Sequence, residues 1–242
     1  MQIVRITKYR LHRYFYSSRP VIPLIASVCF LRVMYSVKPM NVGSGYIFFG
    51  VFQFILMTFV SLSMNENEEI VEEQLLLLHG NSWGAYCVAR EITLLLISCL
   101  YGVLHTVGPV IVNCFNHFSY FTRTLTVGDV IMGAMIILGS GFAGIAIGDF
   151  LHPRIMSDRK MAIIVVVVIM ILSIVKDAVI EKYKFLMCFG MLLPSVMKPA
   201  CDLGNGDYFD VKSVMAFILM MVLYYLVVVI IKNLAMNRKK FS

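Results

Sequence analysis

The stretch Asn65–Glu91, NENEEIVEEQLLLLHGNSWGAYCVARE, holds six of the fourteen acidic residues of a 242-residue chain and runs four glutamates into four consecutive leucines. Carboxylates at this density, set against an apolar stripe, suit recognition of a basic protein surface. Ile70, Gln74, Leu77 and Leu78 recur at helical spacing with Glu69, Glu72 and Glu73 beside them, which predicts an amphipathic helix of about three turns. Its acid lies toward the N-terminal end, where the helix dipole favours negative charge. Gly80 fits the C-cap, and Asn81 or Ser82 can cap a second helix carrying Trp83, Tyr86 and Arg90. A helix that only floated among headgroups would carry Lys and Arg, because cytoplasmic lipids are anionic. The acid therefore favours docking onto a partner over a passive linker.

Other chemistry-bearing residues are sparse. No GxxxxGK[ST] motif occurs, so ATP, if it drives this protein, is bound by another chain. The six cysteines form no CxxC pair and have no histidine at metal spacing; only Cys188 and Cys201 are placed to meet on an outer surface. Arg32 and His105 fall inside apolar runs, where an ionisable group carries a functional hypothesis, here a substrate path. The structural alternatives are a snorkelling Arg32 and a His105 that hydrogen-bonds between helices. Gly141, Gly144 and Gly148 form a small-residue face for close helix packing or a dimer seam.

The elements that position these groups follow from composition. The chain is 60% hydrophobic and only 14% charged, against about a quarter in soluble domains, so water cannot surround it. At about 20 apolar residues per crossing, six helices fit. They are expected at about 21–37, 46–64, 92–112 (bent at Pro109), 130–151, 161–175 and 214–231. The fold class is all-α, a polytopic membrane protein in one membrane domain spanning 1–242. A basic, aromatic segment, 2–19, suits a helix lying in the headgroup region. An apolar but short stretch within 176–212 reads as a re-entrant outer hairpin. Thirteen of the 21 Lys and Arg fall on the N-terminal side and seven on the other, with Arg32 between, so both termini are expected in the cytoplasm. The loop 66–87 is then cytoplasmic. The net charge of +7 sits at the edges of apolar segments, which points to lipid headgroups and not to nucleic acid.

Six crossings, a basic interfacial first helix and an outer hairpin before the last crossing resemble the permease subunit of ABC-2 type ABC transporters. EEQLLLLHGNSWGAYCVAREITLLL is similar to that family's first cytoplasmic loop, through Glu72, Glu73, Leu77, Gly80, Ser82, Tyr86, Ala89 and Arg90. The resemblance implies a homodimer, or a heterodimer with a sister permease, in a bacterial plasma membrane. It also implies a separate cytoplasmic ABC ATPase subunit that holds ATP and Mg, this chain binding no cofactor itself. Glu69, Glu72, Glu73, Leu77, Leu78, Trp83, Tyr86 and Arg90 would dock that subunit. Arg154, Asp158 and Arg159 would form a second contact loop, and the cargo would be an amphipathic peptide, antimicrobial, lipid-like molecule or drug. A non-transporting scaffold that recruits a cytoplasmic partner through the acidic helix is the alternative. Two enzyme resemblances are weaker. Glu72-Glu73 with Tyr101-x-x-x-His105 is faintly similar to CAAX-type intramembrane proteases, but Leu77 stands where arginine belongs. Gly148-Asp149 is similar to part of the intramembrane aspartyl protease motif, but Ala146 replaces its first glycine.

Overall fold

The computed structural model describes residues 2–66, 83–153, 155–156, 158–183, 190, 192–203 and 207–238. Among them the regular structure is entirely helical: α1 (Gln2–Tyr16), α2 (Val21–Met34), α3 (Val42–Glu66), α4 (Trp83–Phe115), α5 (Val127–Phe150), α6 (Arg159–Lys182), α7 (Lys198–Leu203) and α8 (Val211–Arg238). Helices α3, α4, α5, α6 and α8 are each long and apolar enough to cross a membrane, and α1 with α2 make a sixth span if that bent pair counts as one.

The first crossing differs from expectation. Helix α2 has 14 residues, about 21 Å at 1.5 Å per residue, which is short of a core about 30 Å thick. Helix α1 does not stand apart from it. Thr7 donates to the Ala89 carbonyl at 3.4 Å, and the Tyr14 and Tyr101 hydroxyls meet at 3.2 Å. Helix α2 continues along the same partner: Tyr101 donates to the Pro20 carbonyl at 3.3 Å, and Ser27 meets His105 at 3.0 Å. Together the two helices follow α4 from Ala89 to His105 and beyond. They are bent by 67° at the Ser17–Pro20 break. The Ser17 hydroxyl turns back onto the Tyr14 carbonyl at 2.8 Å, and Pro20 has no N–H to continue the ladder, so one straight helix cannot form.

Other boundaries shift outward. Helix α6 runs 24 residues to Lys182, past the expected end at 175, so part of the expected outer hairpin is helix. Pro109 lies inside an unbroken α4. Beyond α6, the described part of 176–212 comprises residues 183, 190 and 192–197, the short α7, and the 207–210 segment that leads into α8.

Helix α5 is the core element, apolar and small on the face toward α3. A Cβ on Gly144 would lie 2.4 Å from the Phe54 carbonyl oxygen, and one on Gly148 would lie 2.2 Å from that of Thr58. On Gly141 it would meet the Ser98 hydroxyl at 2.4 Å. These glycines therefore serve packing inside the chain, where α5 lies against α3 and α4. Around the seam, Phe54, Ile136, Ala143, Ile147, Phe217 and Met221 form one buried cluster.

At the end of the bundle far from Asn65, Asp207 ties the loops together. Its carboxylate accepts from the α3 N-terminal amides of Val42 (3.1 Å) and Gly43 (2.7 Å). Arg123 bonds Asp129 through two nitrogens (2.6 and 2.7 Å) and donates to the Asp207 carbonyl at 2.6 Å. The hydrogen-bonded Asp129 carboxylate raises the Arg123 guanidinium above its ordinary value. Thr126 and Asp129 close a capping box on α5.

The close approach at Gly144 sets a contrast with Gly128, whose Cβ would meet nothing nearer than the Thr126 hydroxyl at 3.7 Å. Gly144→Ala is expected to lower stability in detergent by about 1–3 kcal/mol, as overpacking against backbone does. Gly128→Ala is expected to hold or raise it, since alanine is the better helix former. Thermal unfolding followed by circular dichroism distinguishes the two.

Candidate functional site

Where α3 ends and α4 begins, five polar side chains converge in an apolar bundle. Arg90 and Glu91 are adjacent on α4, Asp149 is the penultimate residue of α5, Lys232 lies near the end of α8, and Asn65 lies near the end of α3. Each local sequence delivers its group for a simple reason. Adjacent residues on a helix point about 100° apart, so Arg90 turns toward α3 and α5 while Glu91 turns toward α8. Tyr225 and Lys232 are seven residues apart, two turns on one face of α8. Gly148 lets α5 approach α3, and Asp149 follows it directly.

Asp149 is the centre. One carboxylate oxygen accepts from Arg90 and the other from Lys232. Lys232 also bonds Glu91, whose second oxygen accepts from the Tyr225 hydroxyl at 2.8 Å. Arg90 donates to the Asn65 side-chain oxygen. The Asn65 amide donates in turn to the carbonyls of Gly148 and Asp149, both at 3.3 Å. Arg90, Asp149 and Lys232 are each 1% exposed. Two cations and two anions cancel, which is the condition for charge to be tolerated at this depth. The result joins α3, α4, α5 and α8 at one end. Among the described residues no group of three or more His, Cys, Asp or Glu is placed to hold a metal. The arrangement ties four helix ends to one shared set of charges.

The sequence-derived candidates fall in several places. Glu69, Glu72, Glu73, Leu77, Leu78 and Arg154 lie outside the described residues. Trp83 is half-buried at the start of α4 with its ring 5.7 Å from that of Tyr86. Tyr86 is buried beneath the guanidinium of Arg10 on α1, 5.6 Å away. Arg90, read as a docking residue, is inside the charged cluster, so its side chain faces Asp149 and Asn65. Asp158 caps α6 by accepting from the Lys160 amide at 2.9 Å, and Arg159 is exposed beside it. His105 is fully buried, bonded to Ser27 and flanked by the rings of Phe49 and Phe52, so it joins α2 to α4. Arg32 lies exposed on the outside of α2. Cys201 is a free, exposed thiol.

Glu91, Lys232 and Asn65 were not singled out as site residues by sequence reasoning, and Asp149 was weighed only as part of a protease motif and not as an ion-pair centre. The available signal was a lone ionisable residue close to the same end of three apolar helices, with both signs represented.

Architecture and charge burial together define a polytopic helical membrane protein. Compared with known proteins, the chain matches no family model and no curated sequence.

The cluster has a measurable signature. Asp149→Asn leaves two cations facing one anion and is expected to cost about 3–5 kcal/mol, as breaking a buried pair does. Lys232→Met alone is expected to be costly for the same reason. Lys232→Met combined with Glu91→Gln keeps the remaining Arg90–Asp149 pair neutral and is expected to recover part of that loss. Detergent-solubilised unfolding of the single and double variants measures the recovery.

Proposed function

We propose that this chain is the permease subunit of an ABC-2 type exporter, working as a dimer with a separate cytoplasmic ATPase. The observation that carries this reading is the position of the charged cluster. The acidic and leucine-rich residues 67–82 connect the end of α3 to the start of α4 in the sequence. Asn65 and Arg90, the cluster members on those two helices, bond to each other and to α5. Displacement of the segment by a partner is thereby transmitted to four helices at once and does not dissipate in a loop. The order of helices supports the same reading: a basic first helix, a long third-to-fourth helix connection, and a short helix before the last span.

On this reading the partner's ATP-driven closure pushes on Glu69, Glu72, Glu73, Leu77, Leu78 and Trp83. The pull on Asn65 and Arg90 then opens and closes the bundle around an amphipathic cargo by alternating access. Arg159, at the neighbouring α5–α6 turn, lies on the same end and supplies the smaller contact.

The test is affinity purification of the full chain from its native cells in mild detergent. A soluble subunit carrying a Walker motif is expected to come with it, to hydrolyse ATP, and to be lost when Leu77 and Trp83 are both changed to Ala. Recovery of the chain alone, or an ATPase retained by the double variant, would contradict the proposal and favour a scaffold.

A further inference from the structure

Residues 207–210 lie across the end of the bundle far from Asn65 as a short strap. They alternate inward and outward: Asp207 and Phe209 are half-buried, Tyr208 and Asp210 exposed. The Asp207 carboxylate accepts from the Val42 and Gly43 amides of α3 and, at 3.2 Å, from the Thr122 hydroxyl. It also pairs with Arg123 Nε at 3.3 Å. Phe209 packs against the buried cluster around Phe217 and against the aromatic cluster of Tyr35, Tyr46, Phe49, Tyr120 and Phe121. Asp210 accepts from the Ser213 amide at 3.2 Å, which holds the strap to the start of α8. The strap is therefore continuous with α8, yet it is fastened to α3 and to the α4–α5 connection.

Its polar fastenings can part without stranding a charge. When Asp207 leaves, Arg123 keeps both of its bonds to Asp129. The Asp207 carboxylate is already partly exposed, and water takes up both it and the α3 amides, as it does at helix N-termini on a surface. The charged end of the bundle lacks this freedom. Arg90, Asp149 and Lys232 are each 1% exposed, so pulling them apart leaves charge in surroundings that cannot solvate it. Of the two ends, only the one under the strap can exchange its bonds with water.

We propose that 207–210 is a releasable strap and that the bundle opens at this end. The strap and the start of α8 lift away from α3 and uncover the aromatic cluster, while the charged cluster stays closed and serves as the hinge. Such a strap would serve a permease or a scaffold equally, since it needs no ATPase. A helix cap and one partly exposed ion pair together favour the closed form by a factor of about ten. Asp207→Ala is therefore expected to raise the open share about tenfold on the same estimate.

The test uses the full chain with its native cysteines replaced and two matched pairs of spin labels, each between α4 and α8 and at exposed positions. Phe115 with Val211 reports the strap end, and Val88 with Leu234 the charged end. In Asp207→Ala, pulsed distance measurement is expected to show a longer component at Phe115–Val211 and no change at Val88–Leu234. Asp207→Asn keeps the shape and can still cap α3 but loses the ion pair, so its shift is expected to be smaller and in the same direction. An unchanged Phe115–Val211 distribution in Asp207→Ala would overturn the proposal. So would equal broadening at both pairs, which would show general loosening and no hinge. If Asp207→Ala fails to fold, Asp207→Asn decides alone, and an unchanged Phe115–Val211 distribution in it overturns the proposal in the same way.

Discussion

Two cations and two anions buried at one end of an apolar bundle cannot be neutralised separately, and this constraint organises the rest of the structure. Asp149 is shared between Arg90 and Lys232, and Lys232 between Asp149 and Glu91. No member can leave without stranding a charge in surroundings that cannot solvate it. The requirement fixes how far α4, α5 and α8 can slide past one another. Asn65 extends it to α3 by bonding both the Arg90 side chain and the backbone of α5.

The opposite end is held by weaker, wetter contacts of another kind. Arg123 and Asp207 are partly exposed, Asp129 is buried beside them, and the three act chiefly on helix ends and loops. Between the two ends, Gly144 and Gly148 bring α5 onto the backbone of α3, and the Gln53 side chain donates to the Ser98 carbonyl at 3.0 Å. The bundle is thus a tight α3–α5 pair with α4 and α8 fastened to it by charge. Helix α6 is attached loosely, with 17% of its apolar window buried, so most of it faces outward.

Much of this architecture was legible in the sequence, and the parts that were not have identifiable reasons. The long apolar runs predicted α3, α4, α5 and α8 to within a few residues, except at the first turns of α4 and the last two turns of α8. At the start of α4, a helix carrying Trp83, Tyr86 and Arg90 is expected, but as an interfacial lead-in to a crossing opening at about 92, because Arg90 and Glu91 interrupt the apolar run. Their neutralising partners lie 59 and 141 positions away. The end of α6 was hidden in the same way: Lys176, Asp177, Glu181 and Lys182 resemble a loop, yet they continue the helix beyond the apolar core. Ser17–Ser18–Arg19–Pro20 announced a break but not its angle, nor that both sides would follow α4. The stretch Asn65–Glu91 contributes residues from both its ends to the buried cluster, Asn65 from one and Arg90 and Glu91 from the other. Pairing was the illegible part, because sequence shows charges and not which of them meet.

The most direct test is a pulsed spin-label distance between Val88 on α4 and Leu234 on α8, both exposed, in a chain with its native cysteines replaced. If the shared carboxylate fixes these helix ends, the parent protein gives a narrow distribution and Asp149→Asn gives a broader or displaced one. Identical distributions in a folded Asp149→Asn protein would contradict that role, and packing alone would then have to hold the bundle.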